Sequence, residues 1–264
     1  MANAVLERAV GGAPDDPQRP GWAAGGTAGV GAPPGVVTGD TMSMGGVVSA
    51  TAVLFVLLLG AGVFGWSQVD TAADGTSRAP LWILPAVLGG FVVVLVASFK
   101  PALARVLAPV YALVQGAVLG AISRVFENEW DGIVVQAVMA TAVVFGTMLF
   151  LYGTRIIKVT ERMRRVVIGA TAALAIFYLL SILLSLFGAE MPLVWDAGPF
   201  GILFSVAVVG LAAFNLVVDF DLVERGVAQG LPRASEWFCA LALMVSIVWL
   251  YLEILRLLAK LRQN

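Results

Sequence analysis

The 264-residue sequence lacks histidine, has a single cysteine and carries few charges. The absence of histidine excludes serine or cysteine triads with a histidine base, His-Glu-x-x-His zinc sites and haem with histidine ligands. Cys239 alone cannot close an intrachain disulfide. Charged residues make up 12% of the chain, against about 25% in soluble globular proteins. These charges cannot form a water-soluble surface, so a soluble enzyme is excluded.

Apolar residues make up 60% of the sequence, which is typical of a membrane protein. Residues 1–43 differ from the rest, because Gly, Pro, Ala and Asp clusters dominate them and large apolar side chains are few. This composition predicts a disordered cytoplasmic tail rather than a cleavable signal peptide. Residues 44–264 are predicted to form the transmembrane domain.

The distance between successive charges predicts the spans, because a helix needs about 20 mostly apolar residues to cross about 30 Å of hydrocarbon. Six charge-free intervals meet or approach this length, and the third is the shortest at 18 residues. They run over Thr41–Val69, Ala79–Phe99, Val106–Ser123, Gly132–Thr154, Val166–Ala189 and Ala197–Val218.

A seventh interval, Trp237–Leu252, has 16 uncharged residues and would rise only about 24 Å. It spans the membrane only if Glu253 enters the bilayer and the helix continues to about Ala259. A half-inserted hairpin is the alternative. We predict seven full spans and therefore an all-α, polytopic membrane protein.

The distribution of lysine and arginine predicts the orientation, because cytoplasmic loops are enriched in them. The tail and the loops after spans two, four and six hold 11 of the 16 basic residues, and the opposite face holds five. The N-terminus is therefore predicted to be cytoplasmic. Arg256, Lys260 and Arg262 near the C-terminus argue against an external C-terminus.

Small residues are expected at helix interfaces in lipid, because they let backbones approach closely. Gly116 and Gly120 in the third span have the GxxxG spacing, which indicates a packing role. Three neutral polar residues also fall within predicted spans, namely Gln115, Gln136 and Asn215.

Ionisable groups at membrane depth are candidates for function, because burying them is costly. Asp219 and Asp221 lie two residues apart and should point to different sides of a helix, and Asp221 can pair with Arg225 four residues later. Asp219 has no local cation, so it is either exposed at a helix end or partnered by another helix. Glu253 can pair with Arg256, or it can face a carboxylate on span six and share a proton with it.

Three segments carry a resemblance to a known family. They are the Pro109–Gly120 stretch PVYALVQGAVLG, the Asp-x-Asp at Asp219–Asp221, and Leu250-Tyr251-Leu252-Glu253 before an apolar end. Their order and spacing over residues 41–264 resemble the Bax inhibitor-1 family of transmembrane Bax-inhibitor-motif proteins, and the chain looks like a bacterial, actinobacterial-type member.

The resemblance implies seven helices with the last one central, and a calcium leak of the bacterial cytoplasmic membrane that responds to protonation of two acids on helices six and seven. By position these acids are Asp219 and Glu253. Glu253 replaces an aspartate, Gln115 stands where relatives often have a glutamate, and the two acids are 34 residues apart, a longer connection than the family pattern suggests. Direct contact between them needs the intervening segment to lengthen helix six or to lie along the membrane surface.

Two functions from different classes therefore remain open. One is a pH-sensitive calcium or cation leak channel that involves Asp219, Glu253, Asp221 and Arg256, with transient calcium, no tightly bound metal and no cofactor. The other is a non-conducting scaffold or regulator that binds anionic lipid or a protein partner through the basic loop 155–165. The net charge of −1 gives no reason to expect a nucleic-acid partner.

Enzyme functions are not expected. The Gly-x-Gly-Asp signature of intramembrane aspartyl proteases is absent around Asp219 and Glu253. A retinal protein needs a buried lysine, whereas Lys100, Lys158 and Lys260 fall at span ends or in loops.

Overall fold

A computed structural model describes residues 41–71, 77–78, 80–187 and 197–263. Residues 1–40 of the predicted tail lie outside the described residues, so the disordered tail stays a prediction. Thr41, Met42 and Ser43 lead into the first helix, and Met42 is buried.

Seven α-helices of 17 residues or more account for most of the described chain, which confirms the predicted all-α, polytopic architecture. Six are long and apolar enough to cross a membrane, and α2 is the shorter one. Their bounds are α1 Met44–Ser67, α2 Ile83–Phe99, α3 Ala104–Glu129, α4 Ile133–Gly153, α5 Glu161–Leu186, α6 Pro199–Ala228 and α7 Ser235–Gln263.

The shortest helix is α2, with 17 residues, and not the third span. The apolar interval before it begins at Ala79, but Pro80 and a turn come first, so that the helix starts only at Ile83. Helix α3 has 26 residues, because it continues past the charge-free interval through charged residues at both ends. A two-residue antiparallel pair, β1 Asp70–Thr71 with β2 Ser77–Arg78, lies between α1 and α2 and was not predicted.

The last helix is continuous and central. Helix α7 has 29 residues and rises about 43 Å, so the half-inserted hairpin is wrong. It packs against α1, α3, α4 and α6, and 61% of an apolar 18-residue stretch of this helix is buried, the largest share among the spans. The core therefore forms around α7, as the resemblance implied.

Helices α1 and α3 are in close backbone contact. A Cβ atom on Gly120 would lie 1.9 Å from the carbonyl oxygen of Gly62, and a Cβ on Gly116 would lie 2.3 Å from that of Leu58. A Cβ on Gly65 would similarly lie 1.9 Å from the carbonyl oxygen of Ala117. The GxxxG spacing therefore serves helix packing, as predicted.

A polar junction joins the start of α1 to the start of α7. Ser43 caps α1, because its hydroxyl accepts a hydrogen bond from the Gly46 amide at 2.9 Å. The Ser43 amide donates to Glu236 Oε1 at 3.0 Å, and Glu236 is only 5% exposed. The Met42 amide donates to the Leu231 carbonyl at 2.7 Å. These contacts fix the N-terminal end of α1 against the α6–α7 connection.

Candidate functional site

Asp219 lies where α6 and α7 face each other. It precedes the end of α6 by nine residues, or about 13 Å, and Ser246 follows the start of α7 by eleven residues, or about 16 Å. The two antiparallel positions therefore meet at one depth, and the Ser246 hydroxyl donates a hydrogen bond to Asp219 Oδ2 at 2.5 Å. Among the described residues, no basic side chain forms an ion pair with Asp219.

Asp221 faces a different helix. Its Oδ2 lies 3.0 Å from Arg164 Nη2 on α5 and 2.5 Å from Arg225 Nη2 one turn along α6. The predicted pair with Arg225 is therefore confirmed, and so is the prediction that Asp219 and Asp221 point to different sides of the helix. Glu161 extends the network, because its Oε1 lies 3.2 Å from both arginines.

The same end of the bundle holds a second ion pair. Glu224 forms a salt bridge with Arg155 in the α4–α5 connection and accepts a hydrogen bond from the Tyr152 hydroxyl. The hydrogen bond to Glu224 raises the pKa of Arg155 above its ordinary value. Charged groups of both signs thus lie along the C-terminal part of α6, beyond Asp219 in the sequence.

Glu253 is buried in a closed set of partners. Its side chain is 2% exposed, and Arg256 Nη1 lies 3.1 Å from each of its oxygens. The Tyr178 hydroxyl and Trp249 Nε1 donate to Glu253 Oε1 at 3.0 and 3.1 Å. Arg256 also donates to the Tyr178 oxygen at 2.8 Å and lies over the Tyr178 ring. The predicted Glu253–Arg256 pair is therefore present, and it is buried in the protein.

Asp219 and Glu253 do not form a hydrogen-bonded carboxyl pair. Asp219 contacts Ser246, and Glu253 lies seven residues further along α7, which is about 10 Å along the axis. The reason is that α6 ends at Ala228 and α7 begins at Ser235, with a short connection between them. Asp219 lies nine residues from its end of this connection and Glu253 eighteen residues from the other, so the two acids are at different depths. The interpretation in which these two acids share a proton does not fit this geometry.

Polar contacts recur along α5 at heptad spacing. Arg164 binds Asp221, Thr171 accepts a hydrogen bond from Asn215 Nδ2 at 2.6 Å, and Tyr178 binds Glu253. Residues seven apart lie on one face of a helix, so these three positions face α6 and α7. We call the whole set the polar column, which consists of Arg164, Thr171, Tyr178, Asn215, Asp219, Asp221, Ser246, Glu253 and Arg256.

The far end of the column is also polar. Lys260, which the sequence places at a span end, is 3% exposed, and its Nζ donates to the Gly201 carbonyl at 3.0 Å. The Ser205 hydroxyl, one turn from Gly201, is the only buried side-chain polar atom of the described chain without a hydrogen-bond partner. Arg262 donates to the Asp131 carbonyl and to Gln136. The C-terminal basic residues are thus engaged within the bundle.

In the part of the chain that the structure describes, no three Cys, Asp or Glu side chains lie close enough together to hold a metal ion. A cation that followed the polar column would meet single carboxylates and neutral oxygens. Tight calcium sites, in contrast, surround the ion with six to eight oxygen ligands.

Sequence reasoning missed several members of the column. Thr171, Tyr178 and Ser246 were not singled out, because hydroxyls and aromatic residues are common in spans, and Arg164 was considered only as part of the basic loop 155–165. The signal that could have found three of them is the spacing of Arg164, Thr171 and Tyr178, which places polar groups on one face of an otherwise apolar helix.

The fold and the polar column together define a class, the multi-span helical membrane proteins that hold acidic side chains within the bundle. A comparison with family models is more specific, because the model described as Bax inhibitor 1 like matches residues 5–263. The chain therefore belongs to the Bax inhibitor 1 like family. Comparisons with curated proteins and with solved structures find no match.

Proposed function

We propose that this protein is a pH-sensitive cation leak of a bacterial cytoplasmic membrane, with calcium as the main ion and the N-terminus in the cytoplasm. The observation that carries the proposal is Asp219, whose carboxylate lies between two helices with the Ser246 hydroxyl as its hydrogen-bond partner. The arginine-rich end of the bundle next to Asp219 supports the orientation.

Asp219 is the group that we assign to proton sensing. An ionised carboxylate between two helices attracts water and cations, because no basic side chain of the described chain neutralises it. A protonated carboxyl group is neutral and can stay in a dry hydrogen bond with Ser246. Ionisation therefore favours a hydrated α6–α7 interface, and we expect cation flux to rise with pH.

Glu253 has a different role in this proposal. Arg256 already neutralises it, and Tyr178 and Trp249 occupy the oxygen that it would offer to a cation. The Glu253 cluster closes the column about 10 Å from Asp219, and a cation passes when this cluster rearranges. Asp221 lies at the other entrance, where Arg164 and Arg225 hold it.

The test is calcium flux into proteoliposomes, measured across pH. We expect Asp219→Asn to remove the pH response, because the amide cannot ionise, and Ser246→Ala to alter it. Asp131→Asn is the matched control, since Asp131 is exposed in the α3–α4 connection, and it should keep the response of the wild type. A full pH response in Asp219→Asn would overturn the proposal, as would the absence of flux through the wild-type protein.

The second candidate function is a scaffold that binds anionic lipid through the loop 155–165. Two of its five basic residues, Arg155 and Arg164, pair with carboxylates of α6. The other three, Lys158, Arg162 and Arg165, are exposed on one end of the bundle and form no ion pair among the described residues.

Binding of the purified full chain to phosphatidylglycerol vesicles tests this candidate. The triple variant Lys158→Gln, Arg162→Gln, Arg165→Gln should lose vesicle binding while calcium flux is unchanged. Equal binding by the triple variant and the wild type would exclude the loop as the lipid contact.

A further inference from the structure

A long apolar groove is lined by residues of α1, α3, α4 and α7 and by none of the residues of the polar column. Helices α1 and α4 form its walls, α3 and α7 form its floor, and its volume is about 770 Å³. On α1 it extends over the sixteen residues from Thr51 to Trp66, which are about 22 Å apart along the helix axis. One leaflet of a bilayer contributes about half of the 30 Å hydrocarbon core. The groove is therefore long enough for an acyl chain.

The hydroxyl groups that line the groove are already hydrogen-bonded within the protein. The Ser123 and Tyr251 hydroxyls are hydrogen-bonded to each other at 2.7 Å. Thr51 and Thr141 donate to carbonyl groups of their own helices at 2.8 and 2.7 Å. The walls thus present hydrocarbon to an occupant and require no polar partner from it, which suits an alkyl chain better than a polar solute.

The groove opens toward the lipid. Leu59 and Val63 on α1 and Val138 on α4 line it and are 64%, 74% and 52% exposed. They lie within apolar spans, so the surface that they border contacts hydrocarbon in a membrane. An acyl chain can therefore enter sideways from the bilayer without crossing water.

A cationic and aromatic pair lies at one end of the groove. Trp66 lines the groove one residue before the end of α1, and the Arg124 guanidinium lies 5.2 Å from the centroid of its ring. Tryptophan is enriched at the level of lipid headgroups. None of the ion pairs of the described chain involves Arg124, so its charge can face an anionic group.

We propose that this groove binds one phospholipid molecule, with an acyl chain between α1 and α4 and its phosphate at Arg124. The position of the cation fits the length of the groove, because a phosphate at the level of Trp66 leaves about 22 Å of apolar wall below it. The site uses no residue of the polar column, so it is independent of the proposed cation path.

Native mass spectrometry of the delipidated full-length protein, titrated with phosphatidylglycerol in detergent, tests the proposal. The wild type should bind one phosphatidylglycerol molecule tightly. Ala142→Phe places a ring in the groove and should weaken that binding at least 10-fold. Val143→Phe is the matched control, because Val143 is the next residue on α4, is 65% exposed and does not line the groove. It should bind within 2-fold of the wild type.

The headgroup contact is tested at Arg124. Arg124→Gln should weaken binding about 3- to 10-fold, and Arg105→Gln, at the other end of the same helix, should leave it unchanged. Phosphatidylcholine should bind with the same affinity as phosphatidylglycerol, since it also carries a phosphate. Diacylglycerol has no phosphate, so its affinity for the wild type should be as low as the affinity of phosphatidylglycerol for Arg124→Gln. Inorganic phosphate should not displace the lipid, because it lacks the acyl chain.

Several results would overturn the proposal. One is a groove occupied by a second protein copy or by detergent instead of the lipid. The others are an unchanged lipid affinity in Ala142→Phe and equal affinities for diacylglycerol and phosphatidylglycerol. If Ala142→Phe does not fold, Val138→Trp fills the same groove from an exposed position and gives the same readout.

Discussion

Two regions of this bundle hold their helices together by different means. Helices α1 and α3 meet through glycine, and a single added Cβ at Gly120 would lie 1.9 Å from a backbone oxygen. Helix α5 contacts α6 and α7 through polar groups at three heptad positions. The difference also appears in burial, because half of an apolar 18-residue stretch of the α3 span is buried in the protein, whereas only 6% of the corresponding stretch of the α5 span is buried.

The comparison suggests which part of the molecule can move. In lipid, helices gain little from hydrophobic burial, so close packing and hydrogen bonds decide how they associate. The α1–α3 contact has no room for rearrangement, since backbone meets backbone. The contacts of α5 are a few side-chain interactions, each of which can break and reform. The proposed cation path lies beside this second kind of interface.

The largest effect should come from the glycine interface. We expect Gly120→Ala to destabilise the protein by about 3 kcal/mol, because its methyl group would force α1 and α3 apart. Gly60→Ala is the matched control, since a Cβ there meets nothing within 4 Å. Thermal unfolding in detergent should show a lower midpoint for Gly120→Ala alone. Equal midpoints for both variants would mean that the close approach does not determine stability.

A smaller effect is expected at the inner polar cluster. Glu253→Ala should cost about 2 kcal/mol, because Arg256, Tyr178 and Trp249 lose a common acceptor in a buried position. Glu253→Gln keeps an oxygen for these donors and should cost less.

Denaturant titration of both Glu253 variants measures this effect, with Glu129→Ala at the exposed end of α3 as the control. If Glu253→Ala were as stable as that control, the cluster would not hold α5 to α7.

Local patterns in the sequence predicted part of this site. The pairs Glu253–Arg256 and Asp221–Arg225 follow from spacings of three and four residues on one helix, and both are present. The length of α7 followed from the need to carry Glu253 into the membrane. In contrast, Ser246 and Asp219 are 27 residues apart, and their contact depends on how α6 and α7 are rotated about their axes. No local period encodes that rotation.

The family resemblance helped with the helix count and with the central position of α7, but it left open whether the two acids are in contact. The connection from Ala228 to Ser235 is too short to bring them to one depth. In this chain the partners of the acids are a serine for Asp219 and an arginine for Glu253. The helix lengths, which the charge spacing underestimated for α3 and α6, decide this outcome.

The smallest effect, and the sharpest test of the comparison, is expected in the middle of α5. Asn215 Nδ2 donates to Thr171 Oγ1 at 2.6 Å and also to the Leu211 carbonyl at 3.3 Å. Interhelical hydrogen bonds in membranes contribute about 0.6 kcal/mol on average, because the separated helices find other partners. A double-mutant cycle with Asn215→Leu and Thr171→Val should therefore give a coupling energy of about 0.6 kcal/mol. A coupling above about 2 kcal/mol would make this contact a rigid anchor, and α5 would then be as firmly fixed as α1.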